Sequence, residues 1–234
     1  MKKLSLLTAG LLLLATAPAL AGGSGSDARV RVVHASPDAP AVDVLVDGQR
    51  ALTDISFRDV TSYARLRAGQ YGVEVVPAGL DAPVVIDLTG QNAPNLFYNR
   101  DYTVVAVGRL HDLEPLLLVD DNRPLPPTKA RVRFVHASPD APAVDIAVRN
   151  GPVLFANVSF KGVGDFVEVP ADTYDLEVRP AGSLNAVLTV PAVVLMSGTT
   201  YTIYATGLLG DGTLAPVVSV DSISPASRRM GAGR

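Results

Sequence analysis

The sequence predicts an all-β fold: two tandem immunoglobulin-like, Greek-key β-sandwich domains of about seven to eight strands each. Three observations predict it. Apolar and polar residues alternate with a period of two through most of the chain, turn signals interrupt the alternation at short intervals, and the whole pattern is written twice. In "RVRVVHA", Val30 and Val32 share one face, with Arg29 and Arg31 on the other. In "AVDVLVDG", Val42, Val44 and Val46 alternate with Asp43 and Asp47. Tyr71, Val73 and Val75 alternate with Glu74, and Tyr174, Leu176 and Val178 with Asp175 and Glu177. Strands of this kind pack one face of a sheet and expose the other. Asp47-Gly48, Pro77-Ala78-Gly79 and Gly210-Asp211-Gly212 supply the turns. Tyr71 and Tyr174 each follow a turn and open a strand, the position of a corner tyrosine whose hydroxyl bonds nearby backbone.

With an offset of 102, Arg29–Asp43 matches Arg131–Asp145 at 14 of 15 positions; only Val32/Phe134 differs. One residue is inserted near Asn150, and the match then thins. It returns at "YGVEVVPAG" against "YDLEVRPAG" and at "YTVVAVG" against "YTIYATG", in unchanged order. Each half is therefore expected to be a complete unit. The expected boundaries are a signal peptide at 1–21, a first sandwich at 27–121, a proline-rich linker at 122–128, a second sandwich at 129–222 and a disordered tail at 223–234. The basic start at Lys2-Lys3, the apolar run from Leu4 and the Ala19-Leu20-Ala21 ending read as a secretory leader. The protein is thus expected to be exported, to the periplasm, cell surface or medium, with no membrane span in the mature chain.

The 234 residues hold no cysteine, which excludes disulfides and thiol chemistry. The net charge is −3, and −5 once Lys2 and Lys3 leave with the leader. No basic stripe stands out, so nucleic acid is not an expected partner.

The duplicated stretch concentrates the polar chemistry. Ser36-Pro37-Asp38-Ala39 suits a tight turn between two strands. His34 keeps phase with Val30 and Val32, at the rim of the packed face, with Ser36, Asp38 or turn backbone as candidate partners. The candidate structural or binding cluster is His34, Ser36, Asp38 and Asp43, repeated as His136, Ser138, Asp140 and Asp145. The favoured reading is a self-satisfying polar corner. A metal is disfavoured, because one histidine and two aspartates are few ligands and calcium gathers six to eight oxygens. A hydrolase triad is disfavoured too, because three residues within five positions of one strand and turn do not meet its geometry. No catalytic residue, cofactor or metal ligand is assigned.

Arg29, Arg31, Arg131 and Arg133 lie opposite the valines and read as a solvated sheet face. One asymmetry points elsewhere. "LEPLLLVD" in the first unit stands where the second has "LAPVVSVD", so Leu116 and Leu118 are the candidate interface, against the other unit or another chain. Leu117 and Val119 are expected to fill their own core.

The residues "RVRVVHASPDAPAVDVLVDG", followed by "YGVEVVPAG", resemble the DUF4397 family, and the "VHASPDAPAVD" core occurs in both units. The resemblance implies a β-sandwich-like bacterial envelope or secreted domain of unknown function and brings no catalytic residue, cofactor or ligand. The function expected is that of an exported, non-catalytic binding or structural component of the cell envelope or extracellular matrix, with an unidentified envelope or extracellular partner and with contact between the two domains. The alternatives are a secreted carbohydrate- or peptide-binding module and a secreted hydrolase using the histidine-bearing rim.

Overall fold

The computed structural model describes residues 27–224. The expected leader at 1–21 lies outside the described residues, as does most of the expected tail. The first half of the chain forms β1 (Asp27–His34), β2 (Val42–Val46), β3 (Gln49–Ile55), β4 (Ala64–Arg67), β5 (Gly69–Gln70), β6 (Val73–Pro77), β7 (Ile86–Leu88), β8 (Asn95–Leu96), β9 (Asp101–Val107) and β10 (Glu114–Asp120). The second forms β11 (Lys129–His136), β12 (Val144–Val148), β13 (Val153–Val158), β14 (Val167–Pro170), β15 (Asp172–Pro180), β16 (Leu188–Leu195), β17 (Thr199–Thr206) and β18 (Ala215–Ile223). Among the described residues the helical content is two single 3-10 turns, Gly90–Asn92 and Leu110–Asp112. No helix is long and apolar enough to cross a membrane.

Each half makes two four-stranded sheets from its own residues. The orders are β10-β9-β1-β4 with β3-β2-β6-β7, and β14-β11-β17-β18 with β13-β12-β15-β16. The first strand of each half leaves its sheet at the duplicated corner and continues as the second strand in the opposite sheet. Its own neighbours must therefore come from far along the chain: β1 pairs in parallel with β9, and β11 with β17. Val32, Val42, Val44, Ile55, Val75, Ile86 and Ala106 pack together between the first pair of sheets. Val132, Phe134, Ile146, Phe155, Val178 and Ile203 do so between the second pair. The hydroxyl of Tyr71 donates to the Arg67 carbonyl at 2.9 Å and that of Tyr174 to the Pro170 carbonyl at 2.8 Å, which pins each corner.

The two sandwiches are stacked, and the face that joins them is the one the alternation assigned to solvent. Val33, Ala35, Val105, Val107 and Leu118 of the first unit form one apolar cluster with Val135, Ala137 and Tyr204 of the second, and Leu116 packs against it. Leu118 is 5% exposed. Leu117 and Val119 point to the other face of the edge strand β10, where Leu117 borders the space between the first pair of sheets, but at 45% and 52% exposed they do not fill that core as expected.

Arg31 and Arg133 are only 2% and 3% exposed, which corrects the expectation of a solvated arginine face. Each reaches across to the other unit. Arg31 Nη2 donates to Asp221 at 2.5 Å, and Arg133 Nη2 to Asp120 at 2.5 Å. Arg31 Nε donates to Thr103 at 2.8 Å, and Thr103 donates to Asp120 at 2.7 Å. Arg133 Nε donates to Thr202 at 3.2 Å, and Thr202 donates to Asp221 at 2.6 Å. Two arginines, two aspartates and two threonines thus close a ring related by a pseudo-two-fold axis. Tyr63 lies under Arg31 and Phe166 under Arg133, at 4.7 and 4.6 Å from guanidinium to ring centre. Burial alone would lower the Arg31 pKa; the Asp221 charge and hydrogen bond, with Tyr204 and Tyr63, together outweigh it and raise the pKa above its ordinary value.

The connecting segment is docked and is no free spacer. Leu125 is buried and its amide donates to the Ser224 hydroxyl at 2.9 Å, while Arg131 donates to the carbonyls of Asp121 and Arg123. Ile223 and Ser224, expected to belong to the tail, are part of the fold: β18 runs through Ile223 and Ser224 is buried.

Replacing Asp221 with Asn leaves the Arg31 charge buried without its partner and is expected to cost about 3–5 kcal/mol. A lower urea midpoint at unchanged slope would register it. Arg31→Met combined with Asp221→Leu is expected to cost less than Asp221→Asn alone, because both charges leave together.

Candidate functional site

The duplicated corner resolves residue by residue into structural bonds. His34 and His136 are fully buried rather than at a rim, and each donates from Nε2 to a turn carbonyl, Pro40 and Pro142, at 3.0 Å. Burial lowers both histidine pKa values, so both rings are neutral. The chain bends at Pro37–Ala39. Asp38 reaches out of that bend and accepts from the Leu110 amide at 2.8 Å, in the loop after β9. Asp140 does the same in the second unit with Leu209 and Gly210, at 2.8 and 2.9 Å. Ser36 bonds Asp38 at 3.4 Å; Ser138 bonds Asp140 at 3.3 Å and the Gly207 carbonyl at 2.7 Å.

Asp43 and Asp145 act in the opposite sheet. Asp43 accepts from the amides of Asp54 and Gly79, at 2.8 and 2.9 Å, and pairs with Arg50. Asp145 accepts from Asn157 and Gly182, at 2.7 and 2.9 Å. All four amides belong to residues with positive φ, two at irregularities in β3 and β13 and two at the Pro-Ala-Gly turns. Each carboxylate therefore staples a strained strand position to a turn across the sheet. Burial would raise the Asp43 pKa; the two amides and Arg50 overcome this and lower it. For Asp145 the Asn157 and Gly182 amides dominate, also downward.

The sequence brings His34, Ser36 and Asp38 near one another, but the histidine bonds backbone and not the serine. Asp43 faces away into its own staple. Among the described residues no group of three or more His, Cys, Asp and Glu side chains is gathered where it could hold a metal ion.

What sequence reasoning missed is a cleft of about 790 Å³ beside the junction of the two units. Asp27, Arg29, Arg65, Arg100 and Asp101 of the first unit line it, together with Asp121, Asn122 and Arg123 of the connecting segment and Phe166 of the second unit. Arg29 pairs with both Asp101 oxygens, and Asn122 donates to Asp101 at 2.7 Å. Arg123 holds the Asp121 carboxyl down at about 2. The guanidinium groups of Arg65 and Arg100 have no hydrogen-bond or ion-pair partner among the described residues. Asp27 Oδ1 and Asn122 Oδ1 are buried acceptors without a donor. The cleft thus offers two unpaired cations and two unfilled acceptors to whatever enters it. Its walls come from residues 27 to 166, and that dispersal hid it in the sequence.

The chain is an all-β protein. It belongs to the family described as Domain of unknown function (DUF4397), which matches residues 28–147. The match covers the whole first unit and ends inside β12. No curated protein matches the chain. Among solved structures, the Bacillus anthracis TIE protein is similar at 13% identity and a TM-score of 0.25, over 79% of this chain and 34% of that one. CBMbc (family CBM26) from Eubacterium rectale Amy13K, in complex with maltoheptaose, is similar at 11% identity and a TM-score of 0.24, over 86% of this chain and 99% of that one.

The buried histidines set a pH dependence. Their folded pKa values lie below the ordinary value, so the unfolded chain binds protons that the folded chain refuses. Stability from this source is complete above about pH 6.5 and falls as the pH drops toward the folded values. With both rings contributing, the slope of unfolding free energy below about pH 6.5 can reach at most about 2.7 kcal/mol per pH unit, one proton per ring. Urea titrations from pH 8 to 5 measure it, and His136→Asn is expected to halve the slope.

Proposed function

We propose that the protein is an exported, non-catalytic β-sandwich protein, acting as a binding or structural component of the cell envelope or extracellular matrix. The observation that carries this reading is the engagement of the duplicated polar residues in structural bonds: Nε2 of each imidazole with the Pro40 or Pro142 carbonyl, the carboxylates with backbone amides. The Ser36 hydroxyl bonds Asp38, and no hydrogen bond joins it to His34, which speaks against the hydrolase reading. We read residues 129–222 as a second copy of the same domain, on the strength of the shared corner, staples and strand order. The leader-like start supports export.

A second reading, a carbohydrate- or peptide-binding module, is favoured by the cleft. Its unpaired Arg65 and Arg100 suit carboxylate or sulfate groups, and the unfilled acceptors suit hydroxyl or amide donors. Phe97 and Tyr98, 63% and 60% exposed, immediately precede Asn99 and Arg100 in its wall. An apolar ring face with a polar tip is what a sugar or a peptide side chain rests on.

Thermal shift against a panel of neutral and acidic oligosaccharides and acidic peptides tests the binding reading. An acidic member is expected to raise the melting temperature, and Arg100→Ala or Tyr98→Ala to remove the shift without altering the unliganded transition. A broad panel of hydrolase substrates is expected to stay unturned. Turnover that disappears in Ser36→Ala with Ser138→Ala would replace the non-catalytic reading.

A further inference from the structure

We propose that the first sandwich binds a small apolar group, a hydrocarbon chain end or a ring of about benzene size, between its two sheets. A cavity of about 100 Å³ lies there. Val32 and Val104 line it from one sheet, and Val44, Leu52 and Val73 from the other. His34 Nε2 is committed to the Pro40 carbonyl and the Tyr71 hydroxyl to the Arg67 carbonyl. His34 Nδ1 is left without a partner, and one acceptor is fewer than the roughly two to four polar partners a buried water needs. Apolar cavities on the order of 150 Å³ stay dry and take benzene or xenon. Ala51 and Ala64 also line this one, are exposed to solvent, and sit on the edge strands β3 and β4, where they mark its mouth.

The second unit shows that the fold does not impose the hollow. Position for position it carries Phe134 for Val32, Ile146 for Val44, Phe155 for Leu52, Leu176 for Val73 and Ile203 for Val104. Phe134 and Phe155 stand 6.0 Å apart, ring centre to ring centre, and fill its interior. At the mouth it carries Leu154 for Ala51 and Val167 for Ala64, both packed on its core. Four pairs run the other way by one methylene each: Ile55/Val158, Leu66/Val169, Leu88/Val190 and Leu117/Val218. They do not offset two phenyl rings and two closed mouth positions. Interiors are normally filled to crystal-like density, and a void costs stability. Here the same strand framework is filled in one copy and left hollow and open in the other.

The test is thermal denaturation of the full chain with benzene and, separately, with 1-hexanol. At a free concentration about ten times Kd, the melting temperature is expected to rise by about 4 °C. A benzene response alone assigns a ring, and a larger hexanol response assigns a chain end. Val32→Phe, which installs the residue of the second unit, is expected to melt higher without ligand and to lose the response. Ala64→Val, at the mouth, provides a milder second variant and is expected to weaken binding at least about tenfold, the effect of roughly one lost apolar contact. Xenon-pressurised crystals are expected to show xenon between the sheets of the first unit and not of the second. No shift with either compound and no xenon in the first sandwich would overturn the proposal, as would an undiminished shift in both variants. None of these readouts involves the cleft, so the two ideas stand or fall separately.

Discussion

The architecture depends on one closed ring of buried charge. Arg31, Asp221, Thr202, Arg133, Asp120 and Thr103 connect two sheets from different halves of the chain, and every charged group in the ring meets its opposite. Taking charges out of water costs several kcal/mol per ion, and only good geometry with full hydrogen bonding offsets it. The ring meets that condition: each aspartate accepts from an arginine of the other unit and from a threonine hydroxyl. Asp120 also accepts from Tyr63 and Asp221 from Ser219. A sliding of one sheet over the other would break both ion pairs at once. The apolar cluster of Val33, Val105, Leu118, Val135 and Tyr204 supplies non-directional attraction; the ring fixes the register at which it acts. The cleft inherits its shape from this register, because its walls come from both units and from the segment between them.

The sheets themselves were legible in the alternation, and the corner tyrosines in their position after turns. Burial of the arginine face was not. A charge on alternate positions normally means solvent, and Arg29 follows that rule, with its side chain 41% exposed. The contrary signal lay further along the same face, where Val33 and Ala35 follow Arg31 in phase. Thr103, Val105 and Val107 continue it on the neighbouring strand, and Asp120 and Asp221 recur at matching positions. A face that is half apolar and whose arginines can each meet an aspartate is able to be buried, but it becomes visible only when strands distant in sequence are laid side by side. The asymmetry at Leu116 and Leu118 was the one local trace of it.

The cleft was illegible for a similar reason. No short motif encodes it; its members are ordinary surface residues until the parallel pairing of β1 with β9 places Arg29 beside Asp101 and the connecting segment folds back over both. The corner, by contrast, was readable as a self-contained polar unit, although its partners were misjudged. Asp38 and Asp43 bond less to the corner than to distant loops, at Leu110 and Gly79. Single-residue spacing cannot reveal such bonds, since they join segments some tens of residues apart.

The repeated stretch can now be explained. Two units of like strand order that meet through the same face form a nearly self-complementary contact, in which residues of one unit answer their counterparts in the other. That places a double demand on Arg31, Val33 and Ala35, and on Arg133, Val135 and Ala137: each must suit its own sheet and the facing one. The histidines, serines and aspartates of the corner meet identical local demands in both units and are also unchanged. The interior of each sandwich is under no such tie, because it touches only itself. The one position that differs between Arg29–Asp43 and Arg131–Asp145 is Val32/Phe134, and it points inward. Within this stretch identity tracks the shared face and the corner, although further along the shared face the units differ, at Val105/Tyr204 and Leu118/Ser219; the inward change leaves one interior free to become hollow while the frame around it stays fixed.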